Sequence, residues 1–218
     1  MGTNIESLFD LYEYDDYKDC EGLSKCRFVL GNASAKNPLL CIGLNPSTAT
    51  DKKSDPTIKK IQKIIKNTNK NAKKYDGLIM LNIYPLIATK PSDLPQDDSF
   101  LIVEENYNHI GNILQTYLDN DILACWGNDI YLRTYLLVCL NWIYGLSKHI
   151  NPKRQWLCLH LTKKGNPTHP CRQRGDCVLM PFDIASYIDA INLKNPSHLV
   201  KDSLVSDFLL QDTRFLDK

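Results

Sequence analysis

The sequence has no long hydrophobic segment. None of the apolar runs in its 218 residues reaches the length of about 18 residues that a membrane-spanning helix requires. The first twenty or so residues are acidic and lack the basic and then apolar pattern of a secretory signal. We therefore expect a cytoplasmic protein with no membrane partner.

The sequence also lacks any Cys-x-x-Cys pair, although it contains 8 cysteines. Four cysteines lie inside apolar runs, where a reduced thiol acts as a small hydrophobic side chain. These are Cys41, Cys125, Cys139 and Cys158. The others form the pairs Cys20/Cys26 and Cys171/Cys177, whose spacing is wide for zinc. We expect reduced thiols and neither metal nor other cofactor, and a metal or cluster site built from the two pairs is the alternative.

Net charge is small, at +1, but the charges are unevenly distributed along the chain. Residues 1–21 hold seven acidic residues and one lysine, whereas residues 52–74 hold nine lysines and one acidic residue. A second basic stretch contains Lys148, Lys153, Arg154, Lys163, Lys164, Arg172 and Arg174. Because nucleic acids respond to a local basic surface, this pattern favours a nucleic-acid partner. A solvated lysine-rich helix is the alternative for residues 52–74.

Apolar runs alternate with amphipathic segments along the chain, and there is no internal repeat. Four buried runs, at 39–44, 77–85, 121–127 and 155–161, predict strands, with helices between them. Further strands are expected at 26–31 and near 178–180. Asp55 and Pro56 have the residue types that begin a helix.

This alternation favours an α/β fold in which helices cover both faces of a central, mainly parallel, four-stranded sheet. We expect a single three-layer α/β/α domain over residues 1–218. Residues 1–25 would form an acidic N-terminal segment and residues 195–218 a helical C-terminal extension.

Each of the four buried runs is followed by a compact polar or Gly/Pro group. These groups are Asn45-Pro46-Ser47, Asn82, Trp126-Gly127-Asn128 and the loop that carries His169. Considered alone, each group has an ordinary structural interpretation. The asparagines would form turns, the tryptophan would pack in the core, and the histidine would lie on the surface or in the core. Ligands of open α/β sheets bind at the carboxyl ends of the strands, so the convergence of four groups there predicts a binding site.

The order Gly-x-Asn-Pro, strand-terminal Asn, Trp-Gly and His-Pro resembles that of the uracil-DNA glycosylase superfamily. The segments IGLNPSTA, DPTI, NIYP, WGN and KKGNPTHP are more closely similar to an uncharacterised bacterial family with the same signature. The resemblance covers roughly residues 26–180 and implies a uracil-DNA glycosylase-like fold. It also implies cleavage of the N-glycosidic bond of a pyrimidine in DNA.

The resemblance assigns a role to individual residues. Asn45 matches the residue that positions the hydrolytic water, Asn82 the asparagine that pairs with the pyrimidine edge, and His169 the donor to a base oxygen. Asp51 and Asp55 are nearby carboxylates that could activate water. The substrate pocket would also include Gly43, Leu44, Pro46, Ser47, Tyr84, Trp126 and Thr168.

DNA phosphates would be bound by Lys52, Lys53, Lys59, Lys163, Lys164, Arg172 and Arg174. An enzyme that acts on a base in a duplex must extrude it, but the loop HPCRQRGDC lacks an apolar wedge. Tyr84 is the nearest aromatic for stacking on the base. These departures favour a modified or mismatched pyrimidine over plain uracil. A protein that only binds a nucleobase or nucleotide, and a nucleosidase of free nucleotides, are the alternatives.

Overall fold

The computed structural model describes residues 9–19, 22–70, 75–173 and 177–195. Within these ranges the strands are β1 (Leu11–Asp19), β2 (Gly22–Gly31), β3 (Pro38–Gly43), β4 (Gly77–Asn82), β5 (Ile122–Ala124), β6 (Trp156–Cys158) and β7 (Met180–Pro181). The α-helices are α1 (Pro56–Thr68), α2 (Phe100–Thr116), α3 (Thr134–Ile150) and α4 (Ile184–Lys194). The expected α/β class is confirmed. Of the C-terminal extension, residues 196–218 lie outside the described ranges.

All the strands belong to one sheet, in the order β1-β2-β4-β3-β5-β6-β7. The central strands β4, β3, β5 and β6 are parallel, and the other three pairings are antiparallel. The sheet thus has seven strands of mixed direction instead of the four that were predicted. The most unexpected strand, β1, lies in the acidic segment, where charged side chains at a sheet edge hide the strand pattern.

The helices cover the two faces of the sheet and make three layers. On β3, Leu39 and Cys41 pack in a cluster with α1, whereas Leu40 and Ile42 pack in a cluster with α2, α3 and α4. This alternation follows from the two-residue period of a strand. Except for Asn82 at the end of β4, the central strands contain no polar side chain, because both of their faces are covered.

Helix α1 begins as the sequence predicted. Asp55 is its N-cap, and the carboxylate accepts a hydrogen bond from the backbone N–H of Ile58 at 2.9 Å. Pro56 occupies the first helical position, where no hydrogen-bonded N–H is needed. The apolar stripe of Ile58, Ile61, Ile64 and Ile65 is buried against the sheet. None of the described helices is long and apolar enough to cross a membrane.

Candidate functional site

The site is built on the carboxyl ends of β3 and β4. Gly43 and Asn82 are register partners at the last position of the two strands. The chains then continue side by side, since the N–H groups of Ile83 and Tyr84 donate to the carbonyls of Gly43 and Leu44 at 2.9 and 3.0 Å. The two loops that follow are therefore fixed relative to each other.

The side chain of Asn45 joins these loops. Its amide nitrogen donates to the carbonyl oxygens of Pro46 and Ala88, at 2.9 and 2.8 Å. Two carbonyl acceptors identify this atom as nitrogen, because only the NH₂ group of an amide donates. Both amide hydrogens are thus used within the protein, and Oδ1 is the part of Asn45 that can accept from a ligand.

Asn82 is completely buried, and the described residues offer no hydrogen bond to its side chain. It is 0% exposed, and neither Oδ1 nor Nδ2 has a partner among the described residues. A buried, unpaired polar group costs about 1–3 kcal/mol of stability. Such a group in a folded protein requires an explanation, and a ligand that pairs with the amide would provide one.

Gly43 makes space for this amide. A Cβ on Gly43 would lie 2.9 Å from Oδ1 of Asn82 and 2.6 Å from the terminal methyl of Met80. Any larger residue would therefore displace these groups. The structure thus gives Gly43, which the sequence placed in the pocket, a spatial reason to be glycine.

His169 lies in the loop after β6 and is half-buried. Its Nδ1 accepts a hydrogen bond from the N–H of Cys171 at 3.3 Å, so the neutral ring carries its hydrogen on Nε2 and can donate there. Burial lowers the pKa of His169 most and Arg172 lowers it further, while Asp55 and Asp129 act in the opposite direction. The neutral, donating form is therefore favoured.

The Trp-Gly turn after β5 packs on the histidine loop. Gly127 has a φ of 74°, which side chains other than glycine rarely adopt. Its N–H donates to the carbonyl of Pro167 at 2.9 Å, and a Cβ would lie 3.5 Å from the Cβ of His169. This turn holds His169 at the same sheet edge as Asn82.

A partly buried hydrogen-bond network connects the Trp-Gly turn with the histidine loop. The indole N–H of Trp126 donates to the hydroxyl of Tyr187 at 3.0 Å, and that hydroxyl donates to Oδ1 of Asn166 at 2.7 Å. The amide nitrogen of Asn166 donates to Oδ1 of Asn128 at 2.9 Å, which also accepts from Thr162 at 2.8 Å. Trp126 is 1% exposed, so its side chain supports the loops from within.

The sequence reasoning missed most of this network. Asn128 and Asn166 belong to the segments WGN and KKGNPTHP. The sequence therefore placed them in loops after the strands, but it did not predict the hydrogen bond between them. Tyr187 comes from α4, far away in sequence, and no local pattern connects it with Asn166.

The beginning of α1 also reaches the site. The hydroxyl of Thr57 and the thiol of Cys171 are 3.2 Å apart, which places the first turn of α1 against the short 3₁₀ helix Pro170–Arg172. Asp55 is buried and its charge acts on His169. Asp51 lies further out and is half-buried, in the turn that connects Thr50 with Lys53.

Arg27 is a second residue that the sequence reasoning missed. Its side chain is 2% exposed, and Nη1 donates to the carbonyl of Ala49 at 2.7 Å. Nε has no hydrogen-bond partner in the described part of the chain. Burial lowers the pKa of Arg27, and Asp55 is the main opposing charge. The sequence signal that could have identified Arg27 was a charged side chain inside the apolar run CRFVLG.

Several other residues that were predicted to line the pocket pack or form hydrogen bonds within the protein. Tyr84 is 1% exposed and its ring centroid lies 4.9 Å from that of Tyr135, so it faces the core and is not placed to stack on a base. Leu44 and Pro46 are buried, and Ser47 is half-buried. The hydroxyl of Thr168 donates to the carbonyl of His160 at 2.9 Å, which fixes the histidine loop.

Most of the predicted DNA-binding cations lie on the surface. Those in exposed positions are Lys52, Lys53, Lys59, Lys163, Lys164 and Arg172. Arg172 is also 3.7 Å from the carboxylate of Asp129. Arg174 lies outside the described ranges. All six exposed cations belong to the loops and the helix start that surround the site.

The seven cysteines in the described part of the chain show no arrangement typical of a metal site. None of the seven cysteines that the structure describes forms a disulfide, and Cys26 is 0% exposed in the core. Cys20 lies outside the described ranges. Among the residues that are described, no group of three or more His, Cys, Asp or Glu side chains is arranged to hold a metal ion.

Comparison with known proteins gives one result. The model of a family described as "Protein of unknown function (DUF1643)" matches residues 27–171, a span that includes Arg27, Asn45, Asn82, Gly127 and His169. No curated protein and no solved structure matches the chain significantly.

Proposed function

Since the chain belongs to the DUF1643 family, whose description assigns no function, we propose its function from the site. The protein is a DNA glycosylase-like hydrolase with a uracil-DNA glycosylase-like fold. It cleaves the N-glycosidic bond of a modified or mismatched pyrimidine in DNA. The observation that carries this proposal is the buried, unpaired amide of Asn82 at the carboxyl end of a central parallel strand.

An amide suits the edge of a pyrimidine. It presents a donor and an acceptor side by side, which match a ring carbonyl and the neighbouring N–H. Pairing with a base would remove the cost of leaving both atoms of Asn82 unsatisfied. The side chain is closed off in this structure, and the flexible end of Met80 beside Gly43 is the group that gives way on binding.

His169 provides the second part of the mechanism. When the bond between C1′ and the base nitrogen breaks, its electron pair moves to the base, and negative charge develops on the base oxygens. The neutral imidazole donates from Nε2 to such an oxygen and stabilises the transition state more than the ground state. One such donor contributes about 3 kcal/mol.

Asn45 and the nearby carboxylates act on the water. Because both hydrogens of the Asn45 amide are used by Pro46 and Ala88, Oδ1 orients the water by accepting from it. The water oxygen bonds to the cation-like C1′, and its proton passes to Asp51 or Asp55. A weak base suffices because glycosidic cleavage has an oxocarbenium-like transition state.

The exposed lysines near the site bind DNA phosphates without sequence preference. A target base in a duplex is extruded before it reaches Asn82. This activity implies a cytoplasmic protein with access to DNA.

The test is an assay for abasic sites. DNA that contains uracil, a thymine mismatch or a modified cytosine is incubated with the protein and then cleaved with alkali. We expect strand breaks for at least one substrate, and a loss of about 100-fold for Asn82→Ala and His169→Ala. Asn112→Ala, at an exposed position of α2, is the matched control. Equal activity of all variants would refute the site assignment.

The second candidate function is binding of a nucleobase or nucleotide without cleavage. Two observations favour it: an amide occupies the water-positioning place at Asn45, and the buried Arg27 has an unpaired Nε that suits a phosphate oxygen. Thermal-shift and chromatographic assays with free bases, nucleosides and nucleotides distinguish the cases. A binder is stabilised and leaves the compound intact, whereas a nucleosidase, the other alternative, releases the base from free nucleosides.

A further inference from the structure

A cavity of about 190 Å³ lies between the end of α3, the start of β6 and the start of α4. Trp156, the first residue of β6, lines it. The cavity is therefore at the amino ends of the parallel strands, on the opposite edge of the sheet from the candidate site. Any role of this cavity is independent of the proposed glycosylase function.

Two residues that line this cavity carry buried, unpaired polar atoms. Ser147 is 1% exposed and Arg154 is 7% exposed, and Oγ of Ser147 and Nε of Arg154 have no hydrogen-bond partner within the described chain. The remaining guanidinium nitrogens of Arg154 donate to the carbonyls of Leu114, Tyr117 and Asn120 at 2.7–2.9 Å. These bonds fix the guanidinium, so the side chain does not turn to pair Nε elsewhere.

The charges around the cavity favour an anion. Lys148 lines the cavity and its ammonium lies 6.0 Å from the ring centroid of Tyr144. Asp183 caps the N-terminus of α4, where its carboxylate accepts hydrogen bonds from Ser186. Among the described lining residues, the two cations Lys148 and Arg154 outnumber this single carboxylate, so the formal charge of the lining is positive.

The other part of the lining is apolar. Trp156, Phe182 and Ile184 are among the lining residues, and each is less than a tenth exposed. A ligand with one charged end and one apolar end would therefore match the cavity, with its charge toward Lys148 and Arg154.

We propose that this cavity binds a small organic anion, a carboxylate or a phosphate ester with a flat apolar body. Its oxygens accept hydrogen bonds from Ser147, Arg154 and Lys148, and its body packs on Trp156 and Phe182. Because the unpaired atoms of Ser147 and Arg154 are buried in the free protein, a small shift of the wall side chains accompanies binding.

The test is calorimetric titration of the whole protein, in phosphate-free buffer, with benzoate, phenyl phosphate and the neutral benzamide. We expect saturable binding of one equivalent of benzoate or phenyl phosphate and at least tenfold weaker binding of benzamide. The stronger of the two anions identifies the head group. Equal binding of all three compounds would show a site without preference for an anion, and no binding at millimolar concentration would show a cavity that holds only water. Either result would overturn the proposal.

Substitutions in the cavity wall test whether the anion binds in this cavity. Lys148→Met should weaken binding of the anion at least tenfold and Ser147→Ala threefold to tenfold, as expected for charged and neutral hydrogen bonds. Lys153→Met is the matched control, because this exposed lysine is not part of the cavity wall. Ala185→Trp, at an exposed wall position, fills the cavity and should abolish binding. Unchanged affinity in Lys148→Met and Ala185→Trp would place the ligand elsewhere and refute the proposal.

Discussion

At the residue scale, two completely buried asparagines show how differently the same side chain is used. Asn82 and Asn166 are both 0% exposed. The amide of Asn166 donates to Asn128 and accepts from Tyr187, whereas that of Asn82 has no partner among the described residues. Asn166 therefore stabilises the fold, and Asn82 reduces its stability at a site where a ligand can compensate.

Leucine substitution of the two asparagines tests this difference. We expect Asn82→Leu to leave the free energy of unfolding unchanged or to raise it by about 1–2 kcal/mol, since it removes an unpaired amide. It should also abolish ligand binding or catalysis. Asn166→Leu should lower the free energy of unfolding by about 2–4 kcal/mol, because Asn128 and Tyr187 each lose one hydrogen bond inside the protein. Urea denaturation measures both, and equal destabilisation would mean that Asn82 has a structural role.

At the element scale, the acidic hairpin β1–β2 is attached to α2 by an ionic contact. Nδ1 of His109 on α2 is 2.5 Å from a carboxylate oxygen of Glu13 on β1, and Nε2 is 3.3 Å from Glu105 one turn earlier. Its ring also stacks on Phe28 of β2 at 4.5 Å. Burial alone would lower the pKa of His109, but Glu13 and Glu105 together outweigh burial and raise it.

This contact predicts a pH-dependent contribution to stability. Since the pKa of His109 is higher in the folded than in the unfolded state, its contribution is present below the ordinary value of about 6.5 and is lost as the pH rises through the folded pKa. The contribution is therefore largest below about pH 6.5. We expect His109→Gln to cost about 0.5–1 kcal/mol there and less at pH 8.

Denaturation at several pH values, compared with His149→Gln, measures this effect. His149 is exposed in the last turn of α3 and lies on a different helix. A cost of His109→Gln that stays constant from pH 5 to pH 8 would show that ring packing on Phe28, and not the charge, holds the hairpin.

At the scale of the whole molecule, polar and charged groups are divided between the two edges of the parallel sheet. Asn45, Asn82 and His169 lie at the carboxyl ends of the strands, with Lys163 and Lys164 in the loop after β6. Lys36 and Lys153 precede β3 and β6, at the opposite edge. If DNA binds at the candidate site, only the first set of lysines contacts its phosphates.

Salt dependence of DNA binding tests this division. We expect the double variant Lys163→Gln/Lys164→Gln to weaken binding for all sequences and to reduce the slope of log K against log salt by about 2. Lys36→Gln/Lys153→Gln removes the same charge from the opposite edge and should leave the slope unchanged. Equal slopes for the two double variants would exclude the carboxyl edge as the DNA-binding surface. Fluorescence anisotropy at several salt concentrations provides the measurement.

The sequence predicted the local elements well because their signals are local. The apolar runs mark the central strands, Asp55 and Pro56 mark the start of α1, and the period of the isoleucines marks the face that α1 buries. The strand β1 was missed because it lies at an edge of the sheet, where Asp15 and Asp16 are exposed and charged.

By itself, the sequence determined that this is an α/β protein with polar groups at the ends of its central strands, since patterning and capping depend on neighbours in the chain. Only the tertiary structure decided how those groups are used. The Tyr84 side chain lies in the core against Tyr135, and Asn166 pairs with Tyr187 of α4. The Asn82 amide, beside Gly43, has no hydrogen-bond partner within the described chain. Hydrogen-bond satisfaction depends on which distant residues meet, and chain order does not specify this.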